Sequence, residues 1–169
     1  MDNPNYDERI SSNRTEALFL VLTLVFLLLS VWRINYFWFD FWAGIFLFFF
    51  FMFLFYSLNY RTLILRLTPE VLVLQFGIFT WTISLDNAEK CFLDETSLWR
   101  IGGAGIHFSP VHGRYRAMFN FLEYPRVVIK LRRKKGIVRD IAFTTRHPEE
   151  VLSFIQDTQL AEKATPPAF

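Results

Sequence analysis

Apolar positions along this chain fall into two regimes. From Ala17 to Trp32 (ALFLVLTLVFLLLSVW) and from Phe41 to Tyr60 (FWAGIFLFFFFMFLFYSLNY) no charge interrupts them. From Arg61 onward they alternate with polar residues, and Gly, Pro, Asn and Asp recur at short intervals. Each Leu, Ile, Val or Phe at a helix centre favours membrane insertion by roughly 0.3–0.6 kcal/mol. Backbone amides cannot stay unpaired in hydrocarbon, so such runs cross as helices. At about 1.5 Å per residue, Phe41–Tyr60 matches a hydrocarbon core about 30 Å thick. Ala17–Trp32 is slightly short, which places Thr15, Glu16 and Arg33 near the interfaces. The pattern predicts a transmembrane helical hairpin over 17–60, with spans 17–32 and 41–60. A signal peptide is the weaker reading, because the first run ends in Ser30-Val31-Trp32-Arg33 without the small residues of a cleavage site. A buried hairpin of a soluble protein is also disfavoured, since Phe48–Phe51 is apolar all round rather than along one stripe.

The flanks refine this. Trp32, Tyr36, Trp38 and Trp42 surround the turn, and Tyr56 and Tyr60 lie at the far end, as expected of two interfacial aromatic belts. Asp40 suits a helix N-cap. Arg9, Arg14, Arg61 and Arg66 flank the outer ends, whereas the turn holds only Arg33. The positive-inside tendency then predicts a multi-pass membrane protein with both termini cytoplasmic.

Beyond Arg61 the alternation predicts short strands. Thr62–Leu67 and Val71–Phe76 flank Thr68-Pro69-Glu70, and Phe79–Leu85, Lys90–Leu93 and Ile106–Phe108 follow. Tyr115–Phe121, Arg126–Arg132 and Ile137–Thr144 complete the set. His147-Pro148-Glu149-Glu150 opens a helix, with Val151, Leu152, Phe154 and Ile155 at helical spacing. The expected fold class is α+β: an N-terminal transmembrane hairpin, then a curled antiparallel sheet of about seven strands capped by a C-terminal helix. The organisation read from the chain is a flank over 1–16, the hairpin over 17–60, a domain over 61–160 and a flexible tail over 161–169. No room exists for a linker, because the first strand begins directly after Tyr60-Arg61.

LRLTPEVLVLQFG leading into WTISL, RIGGAGI before a strand, and FTTRHPEEVLSFI as a closing helix carry a resemblance. From about Tyr60 to Gln156 the chain resembles the membrane-anchored pleckstrin-homology-like (PH-like) proteins of bacteria and archaea. That resemblance implies a split β-barrel with a C-terminal capping helix, a prokaryotic inner-membrane location, and a non-catalytic membrane-proximal module. One departure stands out. Phosphoinositide-binding PH domains hold the headgroup with basic residues around the first hairpin loop, and here that loop is the short, acidic Thr68-Pro69-Glu70.

Charge changes the picture in one region. The net charge of +2 hides a basic middle, with fourteen Lys or Arg against seven Asp or Glu from Arg61 to His147. Arg132, Arg133, Lys134 and Lys135, with Lys130 and Arg139, form the densest cluster, and Arg114 and Arg116 a second. Near an anionic leaflet each such charge is worth about 1 kcal/mol. The competing reading of RRKKG is a solvated hairpin tip. No nucleic-acid-reading motif is present.

Catalysis finds little support. Cys91 is the only cysteine and alternates with apolar neighbours, which suits a core position. His107, His112 and His147 are too few and too badly spaced for zinc. IGGAGI lacks the Lys-Ser/Thr of a phosphate loop. Asp94 and Glu95 show no partner along the chain. The expectation is a non-enzyme without cofactor, acting as an interaction scaffold for a membrane complex, a cytoplasmic protein or a second copy of itself. The alternative is a peripheral reader of anionic lipid headgroups. The phenylalanines of the second run serve either reading, as knobs between partner helices or as a lipid-facing surface.

Overall fold

The computed structural model describes residues 6–97, 102–111 and 113–164. Two long apolar helices, α1 (Asn13–Phe37) and α2 (Phe41–Asn59), stand beside a β-rich body. Both are long and apolar enough to cross a membrane, with mean hydropathies of 2.5 and 2.1. α1 runs further at both ends than the uncharged stretch 17–32. It starts early because the Ser12 side chain caps it, accepting from the Thr15 amide at 3.1 Å. It stops after Phe37, where Trp38 turns into the left-handed region at φ 61°. Asp40 then caps α2 as its position suggested, accepting from the Ala43 amide at 2.9 Å. Phe26 of α1 packs on Phe49 and Phe53 of α2, with ring centroids 5.1 and 5.4 Å apart. The hydroxyls of Thr23 and Ser30 donate to carbonyls one turn back, so neither is left unpaired on the apolar helix.

The β-rich body differs from a single antiparallel barrel of about seven strands. Among the described residues there are nine strands in two sheets. The first sheet has the order β1-β2-β3-β4, from β1 (Tyr6–Ser11), β2 (Thr62–Leu67), β3 (Val71–Phe76) and β4 (Phe79–Ser84). The second has the order β5-β8-β9-β7-β6, from β5 (Ala88–Leu93), β6 (Gly105–Val111), β7 (Arg114–Asn120), β8 (Arg126–Lys135) and β9 (Val138–Thr144). Its β7–β9 pair is parallel, which the expected curled antiparallel sheet did not include.

β1 comes from the segment read as an N-terminal flank. It pairs antiparallel with β2 from Tyr6↔Leu67 to Ser11↔Thr62, so the hairpin is an insertion between two neighbouring strands. Alternation drives the core. Leu63, Leu65 and Leu67 of β2 and Leu72, Leu74 and Phe76 of β3 are fully buried. They face Phe119, Val127, Ile129, Ile141 and Phe143 of the second sheet. Helix α3 (Pro148–Ala164) adds Val151 and Ile155, its proline in the first turn and Glu149 and Glu150 beside it. His112, Ile101 and the tail beyond Ala164 lie outside the described residues.

Candidate functional site

Two constructions carry information about function: the junction between hairpin and sheets, and a charged row on the outer face of the five-stranded sheet. The junction is aromatic. Tyr60, at the end of α2, stacks on Tyr56 at 5.1 Å and meets Phe76 edge-on at 5.1 Å. Phe76 meets Phe121 at 5.0 Å, and Phe19 of α1 lies 5.7 Å from Tyr56. One apolar core therefore runs from the hairpin base into the space between the sheets. Polar ties lock its rim. Arg61 pairs with Glu16, the Leu122 amide donates to Thr15 Oγ1, and the Tyr124 hydroxyl donates to the Ser11 carbonyl. On β1, buried Glu8 accepts from Thr145 Oγ1 at 2.6 Å and from the Arg146 amide at 2.9 Å.

Backbone approach at the junction leaves no space for a side chain. Gly77 has φ +56°, and a Cβ there would sit 2.4 Å from the Asn59 carbonyl oxygen. Gly105 has φ +93°, and its Cβ would press on the Tyr60 ring at 3.0 Å.

The second construction follows from strand register, because directly paired residues project from the same face. Lys90 pairs with Lys130, Lys130 with Asp140, Asp140 with Arg116, and Arg116 with Ser109. One polar row thus crosses all five strands. The next row is apolar through Phe92, Val128, Ala142 and Met118 and ends on β6 at His107. Arg116 is only 3% exposed. Its Nη1 lies 3.2 Å from Asp94 Oδ1 and its Nη2 lies 3.6 Å from Asp140 Oδ2. Arg126 Nε donates to the second oxygen of Asp94 at 3.1 Å. Burial alone would raise the Asp94 carboxyl. Hydrogen bonds from Thr96 and the charges of Arg116 and Arg126 outweigh it and hold the group below its usual range.

The basic residues named from sequence separate into groups. Arg114, Arg116, Lys130, Arg132, Lys134 and Arg139 line two clefts on the outer face that share Arg114. Arg116 lies in the first of these clefts, buried and held by the ion-pair cluster. Arg139 is the extra residue of a β-bulge, since Tyr115 pairs with Val138 and Arg116 with Asp140. Lys135 turns toward the first sheet, and Arg133 is tied through its backbone to the segment after β4. The Arg133 backbone exchanges hydrogen bonds with the Asn87 side chain, while Lys135 Nζ donates to the Thr82 carbonyl and lies 4.9 Å from the centre of the Trp81 ring.

Lys90 and Asp140 were not singled out from sequence, and Asp94 stood there only as a carboxylate with no visible partner. A signal for the shared face does exist in Arg114-Tyr115-Arg116 and Lys130-Leu131-Arg132, whose period-two spacing puts both cations on one side of a strand. The carboxylate partners carry no such mark. Cys91 is 7% exposed and its thiol is pushed up to about 12 by burial, which suits a core residue and not a nucleophile at neutral pH. Among the described residues no group of three His, Cys, Asp or Glu side chains is placed to hold a metal ion. No family model, curated protein or solved structure matches the chain.

Proposed function

We propose that this chain is an integral membrane protein whose hairpin spans the bilayer and presents the β-rich body in a fixed pose, as a non-catalytic scaffold for a protein partner. The single observation carrying this reading is the insertion of the hairpin between β1 and β2. Both ends of the hairpin are tied to one sheet, and Phe19, Tyr56 and Tyr60 continue into its core. A body so fastened cannot swing on a linker, which lowers the entropy lost when a partner engages hairpin and body together. Phe19 and Thr15 are buried against the body, so the outer part of α1, from about Leu20 to Phe37, extends about 27 Å and matches the roughly 28 Å of α2. Exposed Ile78 sits in the β3–β4 turn against the end of α2, and neighbouring Phe79 packs on Phe55. Such an apolar turn belongs at the bilayer interface. The basic flanks favour an orientation with both termini cytoplasmic, and the PH-like resemblance implies a prokaryotic inner membrane.

Two measurements test this. In a Cys91→Ala background, Phe39→Cys and Asp86→Cys should react with an impermeant maleimide from opposite sides of sealed vesicles. Labelling from the same side would overturn the spanning hairpin. The tagged full chain, purified in mild detergent beside a chain carrying an unrelated hairpin, should retain a stoichiometric partner that the replacement loses or weakens. Absence of a partner from both would overturn the scaffold reading.

A further inference from the structure

The outer face of the five-stranded sheet contains a cleft of about 850 Å³, within the range of small-molecule sites. Its floor is the charged row. Arg116 is buried there, yet its Nε and Nη1 make no hydrogen bond, and Asp140 Oδ1 likewise has none. Buried polar groups are normally satisfied, and a buried guanidinium with open N–H positions is a donor awaiting an acceptor. The Asp94 and Asp140 carboxylates hold this guanidinium by charge at 3.2 and 3.6 Å without closing its donors.

Charge decides what fits. Among the described lining residues, Lys90, Arg114, Arg116 and Lys130 face Asp94, Glu95 and Asp140, an excess of one positive charge. Arg126, outside the lining and bonded to the other oxygen of Asp94, raises the excess to two. A dianion cancels that excess. Phe92 and Val111 supply an apolar wall beside the cations, and Lys130 Nζ already lies 5.4 Å from the centre of the Phe92 ring. A bare inorganic ion would leave that wall unused.

From these observations we infer that the cleft binds a phosphate ester, its phosphoryl group on Arg116, Arg114 and Lys130 and its organic part against Phe92. The chemistry is shared by a soluble phosphomonoester and by a phosphomonoester lipid headgroup. The site belongs to the outer face of β5, β7, β8 and β9 and stands independently of the scaffold reading.

The experiment uses the full chain in neutral detergent, titrated with phenyl phosphate or with micellar dihexanoyl phosphatidic acid, dihexanoyl phosphatidylcholine being the control. Saturable binding of at least one of the two phosphomonoesters, and none of the choline lipid, is expected. Tighter binding of phenyl phosphate assigns a soluble ester, and tighter binding of phosphatidic acid assigns a headgroup. Arg114→Gln and Lys130→Gln should each weaken binding about tenfold, as loss of one charged hydrogen bond predicts. Their ligand-free unfolding midpoints should stay near that of the parent, because both side chains reach solvent. Arg133→Gln, outside the cleft, should bind like the parent. No saturable binding of either phosphomonoester by about 1 mM would overturn the inference. Equal weakening by Arg133→Gln would overturn it too, by showing a diffuse charge effect.

Discussion

Two turns of this protein have the same chemistry and different surroundings, which isolates the contribution of the hairpin junction. Gly77-Ile78 joins β3 to β4, and Gly136-Ile137 joins β8 to β9. In each a glycine with positive φ, +56° and +63°, takes the first central position of a two-residue loop, the arrangement of a type II′ turn. Alanine at either position carries the left-handed penalty of about 1–2 kcal/mol. Either substitution also restricts the unfolded chain equally, so that effect cancels between them. The surroundings then separate the two. A Cβ at Gly136 meets nothing within 4 Å, whereas one at Gly77 lies 2.4 Å from the backbone oxygen of Asn59. That atom is the end of α2, fixed by Tyr60 and Phe76, so it cannot rotate away as a side chain does. Overpacking of this kind costs about 1–3 kcal/mol. Gly136→Ala should therefore destabilise by about 1–2 kcal/mol, and Gly77→Ala by about 2–5 kcal/mol once the clash is added. Each kcal/mol lowers the melting temperature by about 2–4 °C in a domain of this size. Thermal unfolding followed by tryptophan fluorescence in one detergent reads both variants. Equal shifts for the two would refute a rigid contact between α2 and the β3–β4 turn.

Other outcomes follow from buried groups. The folded Asp94 carboxyl titrates below its unfolded value of about 3.9, so its contribution is complete above that value and is lost as pH falls through the lower folded one. Unfolding midpoints measured across that acid window should drop steeply for the parent. Asp94→Asn should lie about 3–5 kcal/mol lower at neutral pH, with buried Arg126 left without its carboxylate and Arg116 with Asp140 alone, and should show a shallower acid slope. Cys91 should resist a maleimide at pH 7 in the folded protein and react promptly once unfolded, as stopped labelling and mass measurement would read; rapid labelling of the native chain would contradict its burial. Glu8→Ala should cost about 1–3 kcal/mol, because the Thr145 hydroxyl and Arg146 amide lose a charged acceptor. Denaturant unfolding of this variant checks whether β1 is fastened to the second sheet or merely lies near it.

The apolar helices were legible because hydrophobicity unbroken by charge is a local property, visible in Phe41–Asn59 without reference to anything else. Most strands were legible for the same reason. Leu63, Leu65 and Leu67 alternate with Thr62, Ile64 and Arg66, and the turn at Thr68-Pro69-Glu70 sets their partner. β1 was not read as a strand, since YDERIS carries three charges and its partner lies beyond the entire hairpin. Only the fold shows that Tyr6, Glu8 and Ile10 share the inward side.

What the sequence determined by itself is therefore the two-part division, the helical hairpin, the strand pattern and the basic middle of the chain. Tertiary structure decided the rest. It inserted the hairpin into a sheet, paired β7 with β9 in parallel, and joined the aromatic residues of both parts in one core. It also decided which cations are surface and which are not. Arg114 and Arg116 stand two residues apart on one strand, and only the second is enclosed by Asp94 and Asp140. Those carboxylates come from the segment just after β5 and from β9, 22 and 24 residues away along the chain. Charge pairing at that separation depends on which strands lie side by side, and no local pattern of residues encodes it.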